Sequence, residues 1–160
     1  MTTVEDATFD TLKAAVEAAA EGSALFGAEV HASTEETITK DYGVRVSDAK
    51  ADIAPLRGGA GMALYDATLV VVVFSRVIGA DKTASQARRA ARTKGWELAL
   101  AVASVFYADE RMGGQVLNSR ILRGNSGFDS ISNADEYFVV LLPMIVNETG
   151  RKVLDDQLSV

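Results

Sequence analysis

The sequence predicts an α+β domain, a mostly antiparallel β-sheet with an N-terminal helix and one long central helix packed on it. Three observations carry that expectation. Residues 3–21 place Phe9, Leu12, Val16 and Ala19 at three- and four-residue spacing, the period of an amphipathic helix. A second helix opens at Thr83, with Gln86 three residues on completing a capping box, and runs through about Tyr107. Around it stand two apolar, β-branched runs, within Asp66–Ile78 and Glu136–Asn147, whose composition is that of strands.

Each element follows from local chemistry. Thr3 caps the first helix with Asp6 in its first turn, Glu5, Asp10, Lys13 and Glu17 face water, and Gly22 stops it. Ala28–Ala32 reads as a short strand. Residues 33–43 are polar and acidic, a loop or hairpin tip. Val44 and Val46 alternate with Arg45 and Ser47 in another short strand. Ala51, Ile53 and Pro55 follow, and Pro55 restricts that segment to an edge or a strand end. Residues 57–63, Arg-Gly-Gly-Ala-Gly-Met-Ala, read as a flexible loop. They lead into Asp66–Ile78, whose Leu-Val-Val-Val-Val-Phe core predicts a central strand covered on both faces.

The central helix of about 25 residues would be roughly 37 Å long. Its first half carries Arg88, Arg89, Arg92 and Lys94, with Lys82 just before it; its second half is apolar from Trp96 through Phe106. Val116, Leu117, Ile121 and Leu122 form an irregular strand, and the Gly, Asn, Ser and Asp of 124–135 read as a loop. Pro143 in the last strand predicts an edge or a bulge. Residues 1–150 are expected to be one domain and 151–160 a tail or short arm.

Composition narrows the chemistry. The chain has 160 residues, a length that favours one domain. Sixteen Lys and Arg against 22 Asp and Glu give a net charge of −6, which argues against a surface built wholly to grip nucleic acid. Cysteine is absent, which removes disulfides, thiolate metal sites and Cys nucleophiles. His31 is the one histidine, so a His-rich metal site or His-based triad within one chain is disfavoured. The acidic start lacks the features of a secretory signal, and the longest strongly apolar run, Leu69–Phe74, is far short of the roughly 20 residues that span a bilayer. The expectation is a soluble protein made in the cytoplasm, with no membrane partner.

No motif specifies a reaction. A Walker A loop needs Gly directly before Lys82 and again five residues earlier; Asp81 and Arg76 stand there, and an acid repels phosphate. Gly58, Gly59 and Gly61 lack dinucleotide spacing and precede a strand, not a helix whose N-terminus could face an anion. The pairs Asp109-Glu110 and Asp135-Glu136 lie at element ends, where adjacent acids read as solvated turn residues. His31 reads as structural or exposed. No catalytic residue, cofactor or metal is expected, and the chain is not expected to be an enzyme.

Charge is unevenly distributed. Residues 1–36 hold eight acids and one Lys, whereas the start of the central helix is basic. Such a split suits contacts between the basic face of one subunit and the acidic face of the next, although an ordinary wet helix face carries the same residues. No aromatics interleave with the basic residues for base stacking, which disfavours direct reading of DNA.

The arrangement of the N-terminal amphipathic helix, the strand ending in Ser75-Arg76, the Arg/Ala-rich helix, Met112-Gly-Gly-Gln-Val, a Gly/Asn loop and Asp135-Glu-Tyr-Phe-Val-Val-Leu-Leu-Pro-Met-Ile-Val resembles the tail terminator and neck (tail completion) proteins of long-tailed bacteriophages, Mu-like relatives included. The likeness covers most of residues 3–148 and rests on order, not on a short diagnostic motif. It implies a non-enzymatic homo-oligomeric ring, usually of six, that caps the tail tube, stops its polymerisation and offers the docking face for the head. Implied partners are the chain itself, the tail tube protein, neck or connector proteins, and DNA that slides through the lumen without specific binding. The implied location is the tail–neck junction of the virion, after assembly in the host cytoplasm. Arg88, Arg89, Arg92 and Lys94 are the expected subunit or tube contacts, with Gly58, Gly59 and Gly61 a second contact. Head–tail stoppers and connectors share this pattern. Readings from other classes are a small dimeric α+β ligand-binding domain or enzyme, and an adaptor acting through an exposed sheet edge.

Overall fold

The structure, a computed structural model, describes residues 3–55, 63–79, 83–130 and 135–149. Chain order is α1 (Val4–Ala18), β1 (Glu29–His31), β2 (Tyr42–Val46), β3 (Lys50–Pro55), β4 (Ala63–Arg76), α2 (Ala84–Ala108), β5 (Asn118–Ile121), β6 (Asn125–Asp129) and β7 (Tyr137–Thr149). All seven strands join one sheet, with the helices on one of its faces. The expected α+β architecture is therefore present.

The sheet is built around one long antiparallel pair. β4 and β7 pair from Leu64↔Thr149 to Arg76↔Tyr137. The outer flank of β4 is covered first by β2 and then by β3, and the outer flank of β7 by β6 and then β5. Partner numbers in β2–β4 sum to 117 (Val44 with Val73) and in β3–β4 to 118 (Lys50 with Thr68). In β5–β7 they sum to 265 (Ser119 with Val146) and in β6–β7 to 266 (Gly127 with Val139). Each flank is thus a single strand interrupted by one extra residue, the signature of a β-bulge. The two bulges, at 47–49 and 122–124, flank the Val70↔Pro143 pair in the middle of the sheet.

This explains a proline in a strand paired on both sides. The Pro143 carbonyl accepts from the Leu122 N–H at 2.7 Å, so its donorless nitrogen faces the bulge and no bond to β4 is lost. Gly124 completes the fit, because a Cβ there would stand 2.0 Å from the Leu141 carbonyl oxygen. On the other flank, the Ser47 hydroxyl takes the Val70 N–H at 2.8 Å. The bulge expected at Pro143 is present; the edge is not.

Two expectations are corrected. Residues 124–135, read as a loop, contain β6: backbone pairing to β7 overrides weak strand composition, with Phe128 stacked edge-on to Phe138 at 5.2 Å. Of the two readings of residues 33–43, a loop or a hairpin tip, the loop holds for 33–41 and the hairpin tip does not. β1 and β2 are parallel, so the chain crosses over between them, and Tyr42 and Gly43 already belong to β2. The expected loop 57–63 lies outside the described residues except for its last, Ala63, which opens β4; the tail 151–160 is outside them entirely.

The main core lies between the helices and one sheet face. α2 presents Ala87, Ala91, Gly95, Leu98, Val102 and Phe106 to Val71, Val73, Phe138 and Val140. Gly95 is the point of closest approach: a Cβ there would meet the Phe138 ring at 2.5 Å. α1 is capped by Thr3 as expected but ends at Ala18, where Ala19 is extended. Leu12 is fully buried; Phe9 and Val16 pack at the margin.

Candidate functional site

The opposite face of the sheet is only partly roofed. The 32–41 crossover lays Ile38 over Phe74, Tyr137 and Val139, forming a second, smaller core. Val70, Val72, Leu141, Pro143 and Ile145 continue along the same face and remain half-buried, with no described element above them. Between the crossover and β6 this face opens into a groove of about 650 Å³, floored by Val72, Val139 and Leu141 and edged by Thr34, Gly127 and Asp129.

A polar network holds the crossover in place. Pairing of His31 with Arg45 puts both on this face, where each is nearly fully buried. The Arg45 Nε donates to His31 Nδ1 at 3.1 Å. Nε2 of His31 therefore carries the ring proton and meets the Glu29 carboxylate at 3.0 Å. That carboxylate also accepts from the Thr39 hydroxyl at 2.7 Å, the Thr39 N–H at 3.1 Å and the Lys40 N–H at 3.0 Å. The other end of Arg45 donates to the Glu36 carbonyl. Glu29 is thus surrounded by donors from β1 and from the far end of the crossover. Burial pushes its pKa up, but the bonds from His31, Lys40 and Thr39 outweigh burial and hold it at about 2. A carboxyl kept this firmly ionised is a structural anion, not a general acid at neutral pH. His31 is accordingly buried and structural.

The sequence-predicted basic residues separate into two groups. Arg88 is engaged within the chain: it pairs with Glu136 at 2.8 Å and lies 4.2 Å from the Phe128 ring centre. Lys94 likewise donates to the Ala24 carbonyl at 3.3 Å and stands over the Tyr42 ring at 4.1 Å. Arg89 and Arg92 are exposed, and among the described residues neither forms an ion pair. Gly58, Gly59 and Gly61 lie outside the described residues. Of the acid pairs, Asp109 caps the turn after α2 through the Gly113 N–H at 2.8 Å, Asp135 meets Arg76 at 3.3 Å, and Glu136 takes Arg88. No group of three His, Asp or Glu side chains converges among the described residues.

Sequence reasoning missed an apolar ridge. Trp96, Leu100 and Tyr107 are 43%, 65% and 65% exposed. At 100° per residue they share the outer flank of α2 with Arg89 and Arg92, within an arc of roughly 80°, and the Trp96 ring reaches back to Phe138 at 6.2 Å between centres. The signal was present: a helix whose second half is apolar on both sides has more apolar surface than one sheet can cover.

No family model and no curated protein matches this chain. Among solved structures, it is similar to a chain from the virion of a native gene transfer agent particle, with a TM-score of 0.58 and 17% identity over 91% of this chain and 94% of that one. At that identity the likeness is one of fold, and it spans nearly the whole of both chains.

Proposed function

We propose that this chain is a structural virion protein that works as a tail terminator, a homo-oligomeric ring that caps the tail tube, stops its growth and presents a docking face to the neck. The observation that carries the reading is the fold shared, almost end to end, with a chain of a gene transfer agent virion. The order of elements that resembles tail terminator and neck proteins points the same way. So does the character of the surface, where an apolar helix ridge and a half-roofed sheet face await partners while the buried charged network is fully bonded internally. Arg89 and Arg92 are free to meet another subunit or the tube; Arg88 and Lys94 act there through the faces they brace. DNA passes through the lumen without specific binding, favoured by the net charge of −6.

The test is tube assembly followed by electron microscopy. Added to polymerising tail tube protein, the chain should arrest growth and appear as a ring at one tube end. Tubes of unchanged length with bare ends would refute the terminator role. Binding to a neck or connector ring in their place would move the chain to the stopper position.

A further inference from the structure

Among the described residues, two apolar surfaces on opposite sides of the sheet are left without an element packed over them. One is the convex ridge Trp96–Leu100–Tyr107 on the outer side of α2. The other is the open sheet face of Val72, Leu141 and Ile145, on the side of the sheet away from α2. They are similar in length: Arg92 to Tyr107 spans roughly 22 Å of helix, and β7 from the groove-lining Val139 to Ile145 roughly 20 Å of strand. They also match in charge. The ridge is basic at its N-terminal end, where Arg89 and Arg92 are exposed and form no ion pair among the described residues. At one end the groove is lined by Asp129, opposite Tyr137, with Glu35 next to the lining Thr34; both acids are exposed and form no ion pair among the described residues, while Arg45, which also lines this end, is buried and bonded to His31 and the Glu36 carbonyl.

We infer that the outer ridge of α2 in one copy docks in the open sheet groove of the next copy, Arg89 and Arg92 toward Asp129 and Glu35 and Leu100 over Leu141. The inference rests on the ring reading above and names the two surfaces that close the ring. Because the patches are different and back to back, the contact is heterologous: every copy uses both, and repetition yields a ring or an open spiral, never a twofold dimer. Burying Trp96 and Leu100 in the middle of such a contact and pairing Arg at its border is the usual division between an apolar centre and a polar rim.

The absence of cysteine makes the test clean. Leu100→Cys and Leu141→Cys are made separately, with Val72→Cys as a second groove reporter should Leu141→Cys not fold. Oxidation of a mixture of a ridge variant and a groove variant should give a disulfide-linked species of twice the chain mass, while either variant alone gives none. A self-linked Leu100→Cys protein would overturn the proposal in favour of helix-to-helix pairing. No link in a mixture that native mass spectrometry shows to be oligomeric would assign the ring to other surfaces. A chain that stays monomeric and unlinked would overturn it too, leaving the ridge to a different virion protein. A linked ring that does not arrest tail tubes would retain this interface and refute the terminator role.

Discussion

Replacing Glu29 by Gln tests what holds the crossover over the sheet. The carboxylate faces four donors, from His31, the Thr39 hydroxyl, and the N–H groups of Thr39 and Lys40. Gln keeps one acceptor oxygen and turns an NH₂ toward groups that are themselves donors. Hydrogen bonds to a charged acceptor are worth roughly 1.5–3 kcal/mol, about twice their neutral equivalents, and an unsatisfied donor costs about as much again. The expected loss is therefore about 2–4 kcal/mol. The same bonds, which hold the carboxyl at about 2 against an ordinary 4.5, correspond on that scale to about 3 kcal/mol.

The sign of the pH dependence follows from the folded pKa lying below the unfolded one. The stabilisation is fully present above the unfolded value near 4.5 and disappears as pH falls through the folded value near 2. Urea unfolding of wild type and Glu29→Gln at pH 7, 5, 4 and 3 should show a constant gap at the two higher values and a narrowing gap below. A gap under about 0.5 kcal/mol at pH 7, or one independent of pH, would refute the assignment of Glu29 as a bonded anion.

Three further outcomes are expected. Gly95→Ala should lower the melting temperature despite a helix-propensity gain of about 1 kcal/mol, because its Cβ falls 2.5 Å from Phe138, a ring held between Trp96 and Phe128; overpacking costs about 1–3 kcal/mol, and a raised melting temperature would contradict the packing described. Arg88→Ala should cost up to about 1 kcal/mol in denaturation, whereas Arg92→Ala should leave stability within about 0.5 kcal/mol of wild type. Leu100→Glu should leave the denaturation curve unchanged within about 0.5 kcal/mol and shift sedimentation from oligomer toward monomer; an undiminished oligomer would remove the ridge from the interface.

Much of the fold was legible because local chemistry and tertiary environment agree. The Thr83–Gln86 capping box sets the start of α2, and the Val-rich centre of β4 marks a central strand paired along both edges; the cover expected on both of its faces is incomplete, since Val70 and Val72 stay half-buried on the open face. β6 was hidden because Asn125-Ser-Gly-Phe-Asp has little strand propensity of its own and is recruited by the free flank of β7. The parallel pairing of β1 and β2 was hidden because a ten-residue polar connection reads alike as hairpin or crossover. The Glu29–His31–Arg45 network depends on pairing across that connection, so no spacing in the sequence reveals it. For the candidate interface, charge alone marked four basic side chains; only packing separates Arg88 and Lys94, which brace their own chain, from Arg89 and Arg92, which face outward.

Native mass spectrometry of the full chain, alone and with tail tube protein, tests the central claim most directly. A closed ring, six copies being the expected number, formed by the chain itself or on addition of tube protein, is the predicted result. A monomer or twofold dimer indifferent to tube protein would contradict the account.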